Sequence, residues 1–271
     1  MRQLGSSNEA NPWQPGALMA GMSEHRVTVG TAAWAIPKQY DDAFPSEGSH
    51  LVRYASRFDG VEINSSFYRP HRVSTYQRWG GDVPEYFRFA VKMPKTITHE
   101  ARLRNVDEPL QRFLREIAGL GSKLGPVLIQ LPPSLKFDPG DVRSLVAGLR
   151  ASYDGDVVCE PRHASWFTDD VDAFLVQHRI ARVAADPKPH PSAGIPGGWT
   201  GLVYYRLHGS PKMYYSAYPQ EVIAEAAATL EDHAKAGRAA WCIFDNTAAF
   251  AATGNALNLI ELLQGASLIE S

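Results

Sequence analysis

Ionisable and amide side chains recur in this chain at the downstream ends of short β-rich runs. The runs are Val27–Trp34, Gly60–Asn64, Phe87–Met93, Pro126–Leu131, Asp156–Arg162, Ala181–Asp186, Leu202–His208 and Ala240–Asn246. Seven of them close on a distinctive polar group: Glu62 with Asn64, Lys92, Gln130, Glu160 with Arg162 and His163, Asp186, Arg206 with His208, and Asp245 with Asn246. Carboxylates, imidazoles and desolvated amines move protons or attack carbon, and guanidinium groups grip carboxylates or phosphates with two prongs. Glu62, Lys92, Glu160, His163, His208 and Asp245 are therefore the candidate catalytic groups.

The most concentrated cluster is Glu160, Arg162 and His163. Arg162 can hold an anion, or it can lower the pKa of Glu160 as a structural ion pair. Glu62 and Glu160 form a candidate carboxylate pair of the kind that works on glycosidic bonds. Lys92 can act as an amine nucleophile, although neutralising Glu62 on the neighbouring strand is the reading preferred for it. His163 and His208 titrate near neutrality and can relay protons, or can stay neutral against strand backbone. For substrate binding the set is Asn64, Tyr68, His99, Gln130, Arg162, Trp166, Asp186, Arg206 and Asn246: cations for an anion, amides for hydroxyls, rings for stacking. Mixed Glu, Asp and His sets also suit a metal. No HxH or HExxH spacing is present and the cations would crowd a dication, so no metal ligand is assigned and no cofactor is named.

Such residues need elements that bring them to one place. Eight strands alternating with helical stretches predict an α/β fold, a TIM-type (β/α)8 barrel with a parallel eight-stranded sheet, whose active sites gather at the C-terminal strand ends. Side chains two apart on a strand share a face. Glu62 and Asn64, Glu160 and Arg162, and Tyr204, Arg206 and His208 are thus expected to point inward. Ile63, Phe89, Val91, Ile129, Val157, Cys159, Val183, Val203, Leu207, Cys242 and Phe244 are expected to face the outer helices. Residues Lys92–Glu100 read as an extended, cationic loop. Asp138-Pro139 and Thr168-Asp169 read as helix openings, a capping side chain followed by first-turn residues. Four prolines and three glycines between residues 187 and 198 forbid a normal sixth helix, so the sixth crossover is expected to be a Pro/Gly-rich loop beside the mouth.

The chain has 271 residues, 44% hydrophobic, enough for one barrel domain over residues 26–271. Residues 1–25 read as a disordered or surface extension. A net charge of −2 gives no global reason to expect nucleic acid or membrane as partner. Residues 53–123, however, carry thirteen Lys/Arg against eight Asp/Glu, a local excess that could greet an anion or a phosphate backbone. The two cysteines, Cys159 and Cys242, make neither a zinc nor a disulfide framework. With no signal peptide and no long apolar run in the sequence, a cytoplasmic location is expected.

Five phrases carry a family resemblance. They are Val61-Glu62-Ile63-Asn64-Ser65-Ser66-Phe67-Tyr68, then Phe87-Arg88-Phe89-Ala90-Val91-Lys92 followed by Ile97-Thr98-His99, then Leu128-Ile129-Gln130-Leu131-Pro132-Pro133-Ser134. Glu160-Pro161-Arg162-His163 with Ser165-Trp166-Phe167, and Tyr205-Arg206-Leu207-His208-Gly209, complete the set. In order and spacing the chain from about Val27 to Leu263 resembles the YecE-like domain of unknown function, number seventy-two in its series. The resemblance implies a TIM-type barrel and no established activity. Two phrases depart from the family pattern: Thr31-Ala32-Ala33-Trp34 where a Gly-Trp phrase is usual, and Asp245-Asn246-Thr247 where an Asn-Asn-Asp-like run is usual.

Three functions are compatible with these features. The first is an enzyme, an isomerase or hydrolase, acting on a small anionic or polyhydroxylated molecule. There Arg162, Arg206 and Lys92 bind the anion, Glu160 or Glu62 is the base, and Asn64 and Gln130 orient hydroxyls. The second is a nucleic-acid-binding or repair barrel similar to endonuclease-IV-type folds, served by the basic stretch. The third is a non-catalytic ligand-binding barrel.

Overall fold

The structure, a computed structural model, describes residues 27–267. The extension expected over residues 1–25 lies outside the described residues.

Strands and helices alternate. The strands are β1 (Val27–Thr31), β2 (Gly60–Ile63), β3 (Arg88–Lys92), β4 (Leu124–Gln130), β5 (Val157–Glu160), β6 (Ile180–Arg182), β7 (Ala184–Asp186), β8 (Gly197–Gly198), β9 (Leu202–Leu207) and β10 (Ala239–Phe244). Eight α-helices run between and after them: α1 (His50–Ala55), α2 (Ser65–Tyr68), α3 (Val73–Gly81), α4 (Asp107–Ile117), α5 (Pro139–Arg150), α6 (Asp169–Gln177), α7 (Gln220–Lys235) and α8 (Ala251–Ser267). Local chemistry sets the starts. Asp138 accepts from the amides of Gly140 and Asp141 with Pro139 in the first turn, and Thr168 accepts from Val171. No helix forms between β7 and β9. The Pro-rich segment gives a 3-10 turn over Pro191–Gly194, then β8, antiparallel to β6.

Hydrogen bonding divides the strands into two sheets, β1-β10-β9-β7 and β2-β3-β4-β5-β6-β8, parallel except at β8. The sheets meet twice. An isolated parallel bridge joins Ala32 to Glu62, and β6 runs on into β7 through Val183, whose amide donates to Cys159 of β5. Val183 is the point where one run changes partners, from β5 to β9. The run expected as a single strand over Ala181–Asp186 is therefore two short strands. Most of the other strands also end earlier than expected; β1 stops at Thr31, three residues short of Trp34.

Apolar residues fill two layers. The larger packs the outer faces of the strands against the helices and takes Ile63, Phe89, Val91, Ile129, Val157, Cys159, Val203, Leu207, Cys242 and Phe244, as strand alternation requires. The smaller is shared by both sheets and contains Ala90, Leu128, Val158, Tyr204, Trp241 and Ile243. Val183 was expected in the outer layer and belongs to this inner one. Its parity with Ala181 holds; what failed was treating Asp186 as inward-facing. Trp241 of one sheet lies so close to β2 and β4 of the other that a Cβ on Gly60 or Gly125 would stand 3.0 Å from its ring. Glycine at both positions lets the indole close the space beneath the polar ends.

Candidate functional site

Above that apolar layer the inward side chains become ionic. Arg206, on β9, is fully buried and is the hub. Its Nη2 donates to Glu62 Oε1 at 2.7 Å and its Nε to Glu62 Oε2 at 3.0 Å. Its Nη1 donates to Glu160 and its Nη2 also to Asp245 Oδ2 at 3.0 Å. Tyr204, two residues earlier on the same face, donates its hydroxyl to Glu62 Oε2 at 3.0 Å. Glu62 thus accepts three bonds in a site closed to solvent, and it joins the two sheets.

The next layer outward is built on His208. Its Nδ1 stands 3.0 Å from Asp245 Oδ2 and its Nε2 3.2 Å from Glu160 Oε1. Burial opposes protonation of this ring, but the two carboxylates outweigh it and raise the pKa above 6.5. The same balance acts on the acids. Burial pushes the Glu160 carboxyl up, but Arg206, His208 and Arg162 together hold it well below its ordinary value. Asp245 is likewise lowered, with burial overcome by Arg206 and by the bond to His208. Arg162, partly exposed, reaches Glu160 Oε1 through Nε at 3.0 Å and Nη2 at 2.9 Å.

Lys92 differs from the other cations. Its side chain is nearly buried, yet among the described residues it forms no ion pair; its Nζ lies 4.2 Å from the centre of the Phe67 ring. Burial, with the charge of Arg206, lowers its pKa to about 8 against the opposing pull of Glu62, Asp245 and Glu160. The expectation that Lys92 neutralises Glu62 is corrected: Arg206 does so, because its planar fork spans both carboxylate oxygens. Phe67 is half-buried beneath the ammonium group.

Glu62, Lys92, Glu160, Arg162, Arg206, His208 and Asp245 therefore converge. Gln130 sits at the same rim, paired in register with Glu160. His99 packs edge-on against Phe67 at 4.9 Å and bonds Thr98 through Nδ1 at 2.8 Å. Its segment is a π-helical turn, Thr96–Glu100, where an extended loop was expected. Burial, then Lys92 and Arg162, lower the His99 pKa.

Other expected residues lie elsewhere. The Asp186 carboxylate accepts the hydroxyl of Tyr218 at 2.7 Å, while its backbone carbonyl accepts the amide of His208. Trp166 is core: its Nε1 donates to Leu135 O and its ring packs edge-on against Phe137, so no face is left for a ligand. His163 caps the short turn Ala164–Trp166, its Nδ1 accepting from the Ser165 amide at 3.1 Å. Asn246, opposite in parity to Asp245, donates to Ser216 O and Asn255 Oδ1. Tyr68 is 71% exposed, on a groove with Arg69 and Pro109. Asn64 lines a cavity with Trp34 and His50 at the ends of β1 and β2.

A cavity of about 300 Å³ opens onto the cluster, walled by Glu160, Arg162, His208, Lys188, Met213 and Pro133. Lys188 comes from the Pro-rich crossover. Tyr214 lies within hydrogen-bonding reach of Arg162, with its ring edge-on to His208 at 5.8 Å. From sequence Tyr204 and Tyr214 were expected only as rings that could stack on a sugar or base, and Lys188 had no role. Tyr204 was accessible from its parity with Arg206; the other two sit on loops that alternation says nothing about.

Among the described residues no group of three or more His, Cys, Asp or Glu is placed to hold a metal ion, and no helix is long and apolar enough to cross a membrane. Several cations of the basic stretch have carboxylate partners: Arg53 with Asp41, Lys95 with Glu100, Arg104 with Asp141, Arg112 with Glu116 and Lys123 with Glu85.

Comparison with known proteins gives concordant results. The UPF0759 protein YecE of Escherichia coli is 29% identical over 171 residues, 60% of each chain. The UPF0759 protein YunF of Bacillus subtilis is 29% identical over 155 residues, 52% of each. The matched region thus spans little more than half the length of these curated relatives. A crystal structure of a DUF72 family protein from Thermotoga maritima superposes with a TM-score of 0.72 at 25% identity, covering 89% of this chain and 100% of that one. A DUF72 family protein from Enterococcus faecalis gives 0.74 at 20% identity, covering 88% and 96%. The family described as "Protein of unknown function DUF72" matches residues 28–270, and the chain belongs to it.

Proposed function

We propose that this protein is an enzyme, an isomerase or hydrolase, that moves protons on a small anionic or polyhydroxylated substrate bound at the C-terminal strand ends. In this reading the two sheets act as one eight-stranded (β/α)8 barrel, with the Ala32–Glu62 bridge and the β6–β7 run as its seams. The observation that carries the reading is the cavity of about 300 Å³ whose wall joins Arg162 and His208 to the buried acids. Arg206, Arg162 and protonated His208 balance the three carboxylates there, and Lys188 at the wall adds a further cation, so the mouth favours an anion. A fold needs no such cluster for stability, since well-packed apolar residues often serve as well or better. Perturbed pKa values gathered beside a cavity support a reacting site.

The geometry redistributes the roles. Glu62 and Glu160 accept bonds from several donors, and they fix Arg206 and His208 in place. His208, its proton held by two carboxylates, is the proton donor. Lys92, with a pKa of about 8 and no ion pair, is the base. Arg162 and Lys188 receive the anionic or polar end of the substrate. A nucleic-acid role draws less support, because five of the thirteen cations of the basic stretch have carboxylate partners.

Proton transfer leaves an isotopic record. Incubating the protein in D2O with a panel of sugar phosphates and sugar acids, followed by NMR, should show deuterium entering one of them or a hydrolysis product appearing. Lys92→Met and His208→Asn should each abolish it. No change with any member of the panel, or exchange surviving in both variants, contradicts the reading.

A further inference from the structure

Ser65 and His71 make a hydroxyl–imidazole pair outside the ionic cluster. Ser65 opens α2, and its Oγ lies 2.8 Å from Nε2 of His71, in the turn that leads to α3. A serine beside a histidine is often only structural, and Ser165 is such a case. Its Oγ meets His163 Nδ1 at 3.0 Å, but it also accepts the Phe137 amide at 2.8 Å and so ties two loops together. Ser65 instead lines a cavity of about 290 Å³, with Ala33, Trp34, Ala35, His50 and Asn64.

The imidazole is suited to act as a base. Its ring is held edge-on by Trp79 at 5.0 Å and Tyr76 at 5.8 Å, both on α3. Burial and the charge of Arg69 lower its pKa below 6.5 against the pull of Glu116. At neutral pH the ring is therefore uncharged and Nε2 can take the Ser65 proton. Glu116, on α4, is the carboxylate in electrostatic reach of the imidazolium that then forms, the part an acid plays behind such a histidine.

Two features of the cavity wall point to a ligand. Asn64, next to Ser65, keeps its Oδ1 buried without a partner, which leaves the NH2 as the polar end of its carboxamide open to the cavity. A buried acceptor left unmatched is unfavourable, and a task for the other end of the group accounts for it. An amide N–H beside a nucleophile is the donor that holds a developing oxyanion. Ala33 is held at φ 78°, the left-handed region in which a side chain is strained, and such strain gathers at functional sites. Ala33, Ala35 and the Trp34 ring make the rest of the wall apolar.

We propose that Ser65 and His71 are the nucleophile and base of an acyl-transfer site, one that takes esters with a small apolar acyl group. Ser65 Oγ bonds to the acyl carbon, and its proton passes through His71 Nε2 to the alcohol oxygen as the ester C–O bond breaks. Water then attacks the acyl-serine. His71 takes the proton of that water and returns it to Oγ, which releases the carboxylic acid. The Asn64 amide holds the oxyanion in both steps. This site shares no catalytic group with the Lys92–His208 reading and goes beyond it.

The test is labelling of the full chain with an alkyl fluorophosphonate, located by peptide mass spectrometry, alongside turnover of p-nitrophenyl acetate and butyrate. With the fluorophosphonate, Ser65 Oγ bonds to phosphorus as fluoride leaves, and His71 takes the proton. The label should sit on Ser65 in wild type, and Ser65→Ala should lose both label and ester turnover. His71→Gln should slow both by roughly a hundredfold or more, the scale of a general base. Asn64→Ala should lower kcat by a similar factor. Ser165→Ala should match wild type. A wild-type protein with no label on Ser65 overturns the inference, and so does labelling of Ser65 at the wild-type rate in His71→Gln. Ester turnover that survives Ser65→Ala also overturns it, because hydrolysis then belongs to another group.

Discussion

Glu62 on β2 and Arg206 on β9 meet through two parallel bonds, 2.7 Å and 3.0 Å, with neither side chain exposed. They are 144 residues apart in sequence and belong to different sheets. This pair ties the two halves of the polar cluster together, and Tyr204 completes the set around the carboxylate.

Glu62→Gln keeps the shape and removes the charge, leaving Arg206 with less compensation at a position closed to solvent. Breaking one side of a buried ion pair costs about 3–5 kcal/mol. For a domain of this size that is a fall on the order of 10 °C in Tm by calorimetry. A fall of only about 2 °C would show that Glu160 and Asp245 suffice to hold Arg206.

Lys92 gives the opposite sign. Its pKa falls from 10.5 to about 8 on folding, so below pH 8 both states are protonated and the folded state carries the whole penalty. Between about pH 8 and 10.5 the folded protein releases the proton first, and stability rises with pH. Lys92→Met lacks the penalty. It should be more stable than wild type at pH 7, on the order of 2–3 kcal/mol, with the gap closing by pH 10.5. Urea unfolding at several pH values measures this, and a gap that widens with pH contradicts it.

His208 titrates in another window. Its pKa is raised above 6.5 on folding, so its contribution is complete below that value and disappears as pH rises through the folded pKa. His208→Asn should flatten the decline in stability above pH 6.5. An unchanged slope would mean that the imidazole is neutral in the folded protein.

The sequence made the inner ring legible because strands obey a period of two. Glu62, Glu160, Arg206 and His208 were placed by that rule, and Tyr204 lay within its reach. The rule fixes which residues share a face but not which face is inward. Ala181, Val183 and Ala185 share the inward face, so Asp186 turns outward to Tyr218; the expectation chose the wrong face of this run. Pairing is illegible from spacing alone. Lys92 and Arg206 are both cations facing Glu62, and only the two-pronged geometry of the guanidinium decides between them. Loops were the remaining blind region. Lys188 reaches the cavity, and Tyr214 reaches His208 and Arg162, from segments with no period to read, and Trp166 adjoins a strand-end motif yet turns into the core.

Whether the cluster is a site or a scaffold is decided by Arg162, which touches both the buried acids and the open cavity. The direct measurement is calorimetric binding of sugar phosphates and sugar acids to wild type and Arg162→Ala, with the Tm of each. The account predicts that a member of the panel binds wild type and binds the variant at least roughly tenfold more weakly, at nearly unchanged Tm. Equal binding by both proteins, or a variant whose Tm collapses, would contradict it.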